Sequence, residues 1–181
     1  MISRLKQRRG QKGFTLIELL IVVAIIGIIA AILIPNLLDA LQKAKQKRTV
    51  GDIRNVGSAW FSWYQDQNGA AAAGAAGTYD WAKLTEDIAP TSLQTTLFIS
   101  NTMFYIQQVP AKDAWGNNFE YQHAKTIDAP NYMGIGSAGR AGTFDGGSYT
   151  MGPFVATDYE QDIVWADGFF VQYPAGVETV K

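Results

Sequence analysis

Cysteine is absent from the 181 residues, so the chain has no disulfide framework, no thiolate metal site and no cysteine nucleophile. Histidine occurs once, at His123, which removes most of the parts for the usual metalloenzyme sites and for Ser-His-Asp chemistry. His123 stands in a strand-like run with Phe119 and Tyr121 and reads as a packed or surface residue. Acid is missing from the first thirteen residues, which carry Arg4, Lys6, Arg8, Arg9 and Lys12. Beyond Asn55 the balance reverses, and acids outnumber bases by eight. An acidic body of this kind argues against nucleic acid as a partner. A basic end ahead of an apolar run stays on the cytoplasmic side of a membrane, which places the acidic part on the other side.

What the sequence does have is one long apolar block. From Phe14 to Ile34 it reads FTLIELLIVVAIIGIIAAILI, twenty-one residues interrupted only by Thr15, Glu18 and Gly27. As a helix this run spans roughly 30 Å, the thickness of a hydrocarbon core. It is too long for the apolar core of an ordinary signal peptide, and no small-residue cleavage site follows it. A plain membrane anchor fits its length but gives no reason for a carboxylate at Glu18. An ionised carboxylate in lipid costs several kcal/mol, on the order of 3 or more, and such residues usually serve a function with a definite partner. A cut between Gly13 and Phe14 creates that partner, because the new ammonium lies one helical turn before Glu18. In a polymer the Glu18 of one subunit accepts the amine of its neighbour.

These residues resemble a known family. KGFTLIELLIVVAIIGIIAAILIP is similar to the class III leader of type IV pilins and type II secretion pseudopilins. The resemblance implies cleavage after Gly13 by a prepilin peptidase and N-methylation of Phe14. It also implies assembly through Thr15, Glu18, Gly27 and Pro35, and divides the chain into a leader (1–13) and a transmembrane and polymerisation helix (14–35). An amphipathic stem (36–66) and a periplasmic head (67–181) follow. On steric grounds Pro35 removes a backbone donor and crowds the preceding turn, which predicts a kink near Ile32 to Pro35.

After Pro35, apolar residues recur at Leu37, Leu38, Leu41, Ala44, Val50, Ile53, Val56, Ala59, Trp60 and Trp63. Steps of three and four predict one helix from about Thr15 to Gln65, its second half forming the spine of the head. The basic cluster Lys43, Lys45, Lys47 and Arg48 suits lipid phosphates, acidic neighbours or plain solvent equally. The glycine- and alanine-rich stretch from Asn68 to Thr78 reads as a loop, with short helices at Asp80 to Ile88 and Ser92 to Ser100. Strand patterns follow at Phe119 to Gln122, Tyr132 to Ile135, Ile163 to Ala166 and Phe169 to Tyr173, with Asp167-Gly168 as a hairpin turn. The expected fold is α+β, a long N-terminal helix packed on a small C-terminal antiparallel sheet, as in type IV pilins.

The C-terminal half carries a second resemblance. KDAWGNNFEY, YMGIGSAGRAG and DYEQDIVWADGFFVQYP are similar to the head of major pseudopilins, with Asp113, Trp115 and Gly116 matching an Asp-Pro-Trp-Gly element and Ala114 in place of proline. The resemblance implies one calcium ion between the last strands. Asp158, Glu160 and Asp162 are its candidate ligands, joined by Ser137 or Asp145, while Ala141 stands where relatives carry an aspartate. As solvent-facing acids ahead of a strand, the same three residues need no metal.

The leading expectation is a non-catalytic subunit of a helical type II secretion pseudopilus. Its partners are copies of itself, the prepilin peptidase, an inner-membrane assembly platform with its ATPase, and minor pseudopilins. The alternatives are a type IV pilus pilin for adhesion, twitching or DNA uptake, and an anchored periplasmic binding domain that never polymerises.

Overall fold

The computed structural model of the chain describes residues 13–72, 89–98, 104–123, 133–146 and 149–176. The leader before Gly13, the expected helix at Asp80 to Ile88 and the loop beyond Ala72 lie outside them. The chain divides into two compact units, Met1–Ala40 and Leu41–Lys181.

Helix α1 (Leu16–Ala72) runs through both units. Pro35 lies inside it without ending it. The Asn36 side-chain amide donates to the Ile32 carbonyl at 3.3 Å, in the turn that proline deprives of a donor. The helix also continues past the predicted end near Gln65, taking in Asn68 to Ala72, which the sequence assigned to a loop. The alanines there are strong helix formers and extend a helix already nucleated by its packed stem.

In the second unit α1 presents a buried stripe of Gln46, Thr49, Val50, Ile53, Val56, Gly57 and Trp60, at the predicted spacing. The stripe starts later than the apolar pattern, since Leu37, Leu38 and Leu41 are exposed. Helix α2 (Pro90–Phe98) starts two residues before its predicted position, with Pro90 at its first turn, where a missing N–H costs nothing. It contributes the fully buried pair Leu93 and Leu97.

Five strands form one sheet in the order β1-β2-β4-β5-β3: β1 (Glu120–His123), β2 (Met133–Ser137), β3 (Gly152–Phe154), β4 (Ile163–Ala166) and β5 (Phe169–Pro174). Neighbours β1-β2, β2-β4 and β4-β5 are antiparallel, whereas the edge strand β3 runs parallel to β5. Four strands agree with the sequence pattern. The three-residue β3 does not announce itself, because Gly152-Pro153 reads as a turn and proline is tolerated only at a sheet edge. The β4–β5 turn has Asp167 at φ 48° and Gly168 at φ 106°, the positive pair a tight hairpin requires.

The core forms where the sheet meets the stem. Trp60 is fully buried, with Ile53, Val56, Phe119, Tyr121, Met133, Ile135, Ile163 and Trp165 around it, and Trp63 packs partly buried on the same cluster. Gly57 lets the Trp165 ring lie directly on the helix: a Cβ there would sit 2.6 Å from Cε2 of the indole. His123 is buried and stacks on Trp60 with centroids 6.4 Å apart, the packed role of the two open to it.

Candidate functional site

The first unit carries its chemistry at the start of α1. Thr15 is the N-cap: its backbone N–H and its hydroxyl both donate to Glu18 Oε2, at 2.9 and 2.6 Å. The Glu18 N–H donates back to Thr15 Oγ1 at 3.3 Å. This is a capping box, in which Thr-x-x-Glu satisfies the orphan donors of the first turn reciprocally. The carboxylate thus has a partner within its own chain, and it lies at the positive end of the helix dipole. The pattern Thr15-Leu16-Ile17-Glu18 announces this arrangement, although Glu18 on its own pointed only to a partner in another subunit.

Beyond this turn the helix offers apolar surface on every side. Leu16, Ile17, Leu19, Leu20 and the other leucines, isoleucines and valines to Ile34 are exposed. Among the described residues α1 is long and apolar enough to cross a membrane, with a mean hydropathy of 3.2 in its most apolar stretch and none of that stretch buried. Gly27 has open space around it, leaving a position where another helix backbone can approach closely.

The second unit is organised around Asp113. One carboxylate oxygen accepts the N–H groups of Trp115 and Asn117, each at 2.9 Å, and the other accepts the Ser137 hydroxyl at 2.8 Å. Gly116, at φ 95°, closes the turn. Two bonds tie this loop to the stem: Ala114 N–H to Thr49 Oγ1 at 3.2 Å, and Trp115 Nε1 to Gln42 Oε1 at 2.7 Å. On the far side Asn117 Nδ2 donates to the Gly139 carbonyl at 2.7 Å. A buried carboxylate, exposed by only 6%, therefore joins the stem, the Asp-Ala-Trp-Gly turn and the end of β2. Ala114, where the resembled element has proline, supplies an N–H that proline lacks.

Asp158, Glu160, Asp162 and Ser137, the residues expected to hold calcium, each have hydrogen-bond partners within the chain. Asp158 turns back on its own loop, accepting from the Glu160 N–H at 3.2 Å and from Gln161 Nε2 at 3.0 Å. Glu160 pairs with Arg140 at 2.6 Å. Asp162 is buried and accepts from the Tyr149 hydroxyl at 2.6 Å and the Asp145 N–H at 3.0 Å. Ser137 is committed to Asp113. Among the described residues no three His, Cys, Asp or Glu side chains are grouped so as to hold a metal. Each of the three acids that the resemblance names as a ligand accepts from a nearby donor in the chain. Burial, reinforced by the bond to Asp162, raises the Tyr149 hydroxyl above its usual value and keeps it a donor.

The Prokaryotic N-terminal methylation motif matches residues 8–34, which include Gly13, Phe14, Thr15 and Glu18. Type II secretion system core protein G of Vibrio cholerae is 33% identical over 138 residues, covering 76% of this chain and 88% of that protein. The chain belongs to the core protein G family of type II secretion pseudopilins. Core protein G of Escherichia coli K12 is also 33% identical, over 75% of this pseudopilin and 88% of its relative. The type IV wide pilus major component PilA4 of Thermus thermophilus is 72% identical over 36 residues, 20% of this chain. No solved structure matches the pseudopilin. Similarity over three quarters of the chain takes in the head, and the head separates the pseudopilin reading from the pilin one.

Proposed function

We propose that this pseudopilin is made with its leader in the cytoplasm and its head in the periplasm, cut between Gly13 and Phe14, and methylated at the new terminus. It then polymerises through α1 into a pseudopilus that drives protein export. The observation that carries the reading is the exposed apolar helix headed by the Thr15–Glu18 capping box. A helix apolar on all sides needs lipid or other helices around it. Cleavage puts an ammonium at Phe14, next to a carboxylate that Thr15 already holds in place. Within a packed filament the neighbour's ammonium adds a charge-assisted bond to that carboxylate, so both charges leave lipid as a pair.

The partners follow from this route: prepilin peptidase for the cut, a platform and its ATPase for extraction, minor pseudopilins for initiation, and copies of the chain for elongation. The chain itself performs no chemistry.

The test is deletion of the gene followed by assays of secretion and twitching. Loss of secretion with twitching intact is the expected result. Loss of twitching with secretion intact overturns the reading in favour of a pilus subunit.

A further inference from the structure

We infer that this pseudopilin closes the connection between β2 and β4 with a cation of its own, the Arg140 guanidinium, and that its head needs no calcium there. The resemblance to other pseudopilin heads implies a metal at this place, and the residues present do not suit one. Calcium takes six to eight oxygen ligands at about 2.3–2.6 Å, with carboxylates as the charged members. Ala141 supplies no such oxygen.

The carboxylates that remain are engaged separately. Asp158 accepts from Glu160 N–H and Gln161 Nε2. Asp162 accepts from Tyr149 and Asp145 N–H. Glu160 is held by Arg140. Five donors from five different residues thus hold the three acids, and gathering those acids around one ion competes with these bonds.

Arg140 fills the role by position as well as by charge. Its backbone N–H donates to the Tyr159 carbonyl at 2.7 Å, and its Nη2 lies 2.6 Å from Glu160 Oε1. Main chain and side chain of one residue therefore clamp consecutive residues of the opposing segment. Gly139, at φ 57°, brings the two segments together: a Cβ there would lie 2.7 Å from the Tyr159 carbonyl oxygen and 2.8 Å from that of Gln161. A divalent cation meets repulsion from the guanidinium already in place.

The experiment uses the full-length chain in detergent micelles, melted with tryptophan fluorescence as the readout. Every tryptophan lies beyond residue 40, so the signal reports the second unit. The expected result is one midpoint in millimolar calcium and in chelator, with no calcium retained after equilibrium dialysis. Because the two side chains are about half exposed, 49% and 61%, Arg140→Gln lowers the midpoint by only about 1–3 °C, equally in both buffers. Glu160→Gln does the same, and the double variant falls no further than either single one, because each change breaks the same bond. A midpoint raised by calcium, stoichiometric calcium after dialysis, or an Arg140→Gln protein that melts like the parent overturns the inference.

Discussion

Replacing Asp113 with alanine tests how the head is held together. The change removes an acceptor that serves three donors, the N–H groups of Trp115 and Asn117 and the hydroxyl of Ser137. Ser137 is fully buried, so water does not readily replace the lost partner. A hydrogen bond to a charged acceptor contributes about 1.5–3 kcal/mol, and an orphaned buried donor costs about 1–3 kcal/mol. Since two of the three donors are only partly buried, a total of about 3–5 kcal/mol follows, or a midpoint lowered by about 10–17 °C for a unit of this size. Asp113→Asn keeps one oxygen for the two backbone donors and turns an amide toward Ser137, whose hydroxyl can accept instead. It therefore loses about 1–2 kcal/mol. Urea denaturation of the full chain in micelles, followed by tryptophan fluorescence, measures both. If Asp113→Ala lies within about 0.5 kcal/mol of the parent, the carboxylate is not the hub described here.

Two further outcomes follow from the same packing. Gly57→Ala puts a methyl group 2.6 Å from the Trp165 ring, and the forced shift costs about 1–3 kcal/mol in a denaturation experiment. Burial lowers the His123 imidazole below its ordinary value, with Asp167 opposing, so the neutral ring is the form that stabilises the fold. That contribution is complete above the unfolded value of about 6.5 and is lost as pH falls toward the folded one, at up to about 1.4 kcal/mol per pH unit. Melting between pH 7 and pH 5 shows the loss, and His123→Phe flattens it.

Elements set by periodicity and turn chemistry could be read from the sequence, and elements set by tertiary partners could not. The stem stripe from Val50 to Trp60 follows from steps of three and four, and the β4–β5 hairpin from Asp167-Gly168. Strand β3 was hidden because Gly152-Pro153 has no strand pattern and forms only against β5. The polar residues Gln46 and Thr49 interrupt the apolar spacing yet are buried, since a stem helix can bury a hydroxyl that meets the Ala114 N–H.

At the N-terminal end the Thr-x-x-Glu pattern was present in the residues, and it changes what Glu18 does. The carboxylate is positioned within its own chain by Thr15 before any neighbour arrives. In the head, the resemblance to other pseudopilins implies a metal at Asp158, Glu160 and Asp162. The sequence alone does not reveal that Arg140, Tyr149 and Gln161 donate to those acids.

Assembly of α1 into a filament through Glu18 is best probed by Glu18→Ala. The variant keeps the apolar helix and loses the carboxylate, so membrane insertion persists or improves. Filaments sheared or extracted from membranes and pelleted, compared with the total membrane-bound chain, give the assembled fraction. Normal membrane levels with the assembled fraction lost are expected, while Glu18→Asp, a shorter carboxylate, retains part of that fraction. Filaments of Glu18→Ala at the parent's level contradict assembly through Glu18.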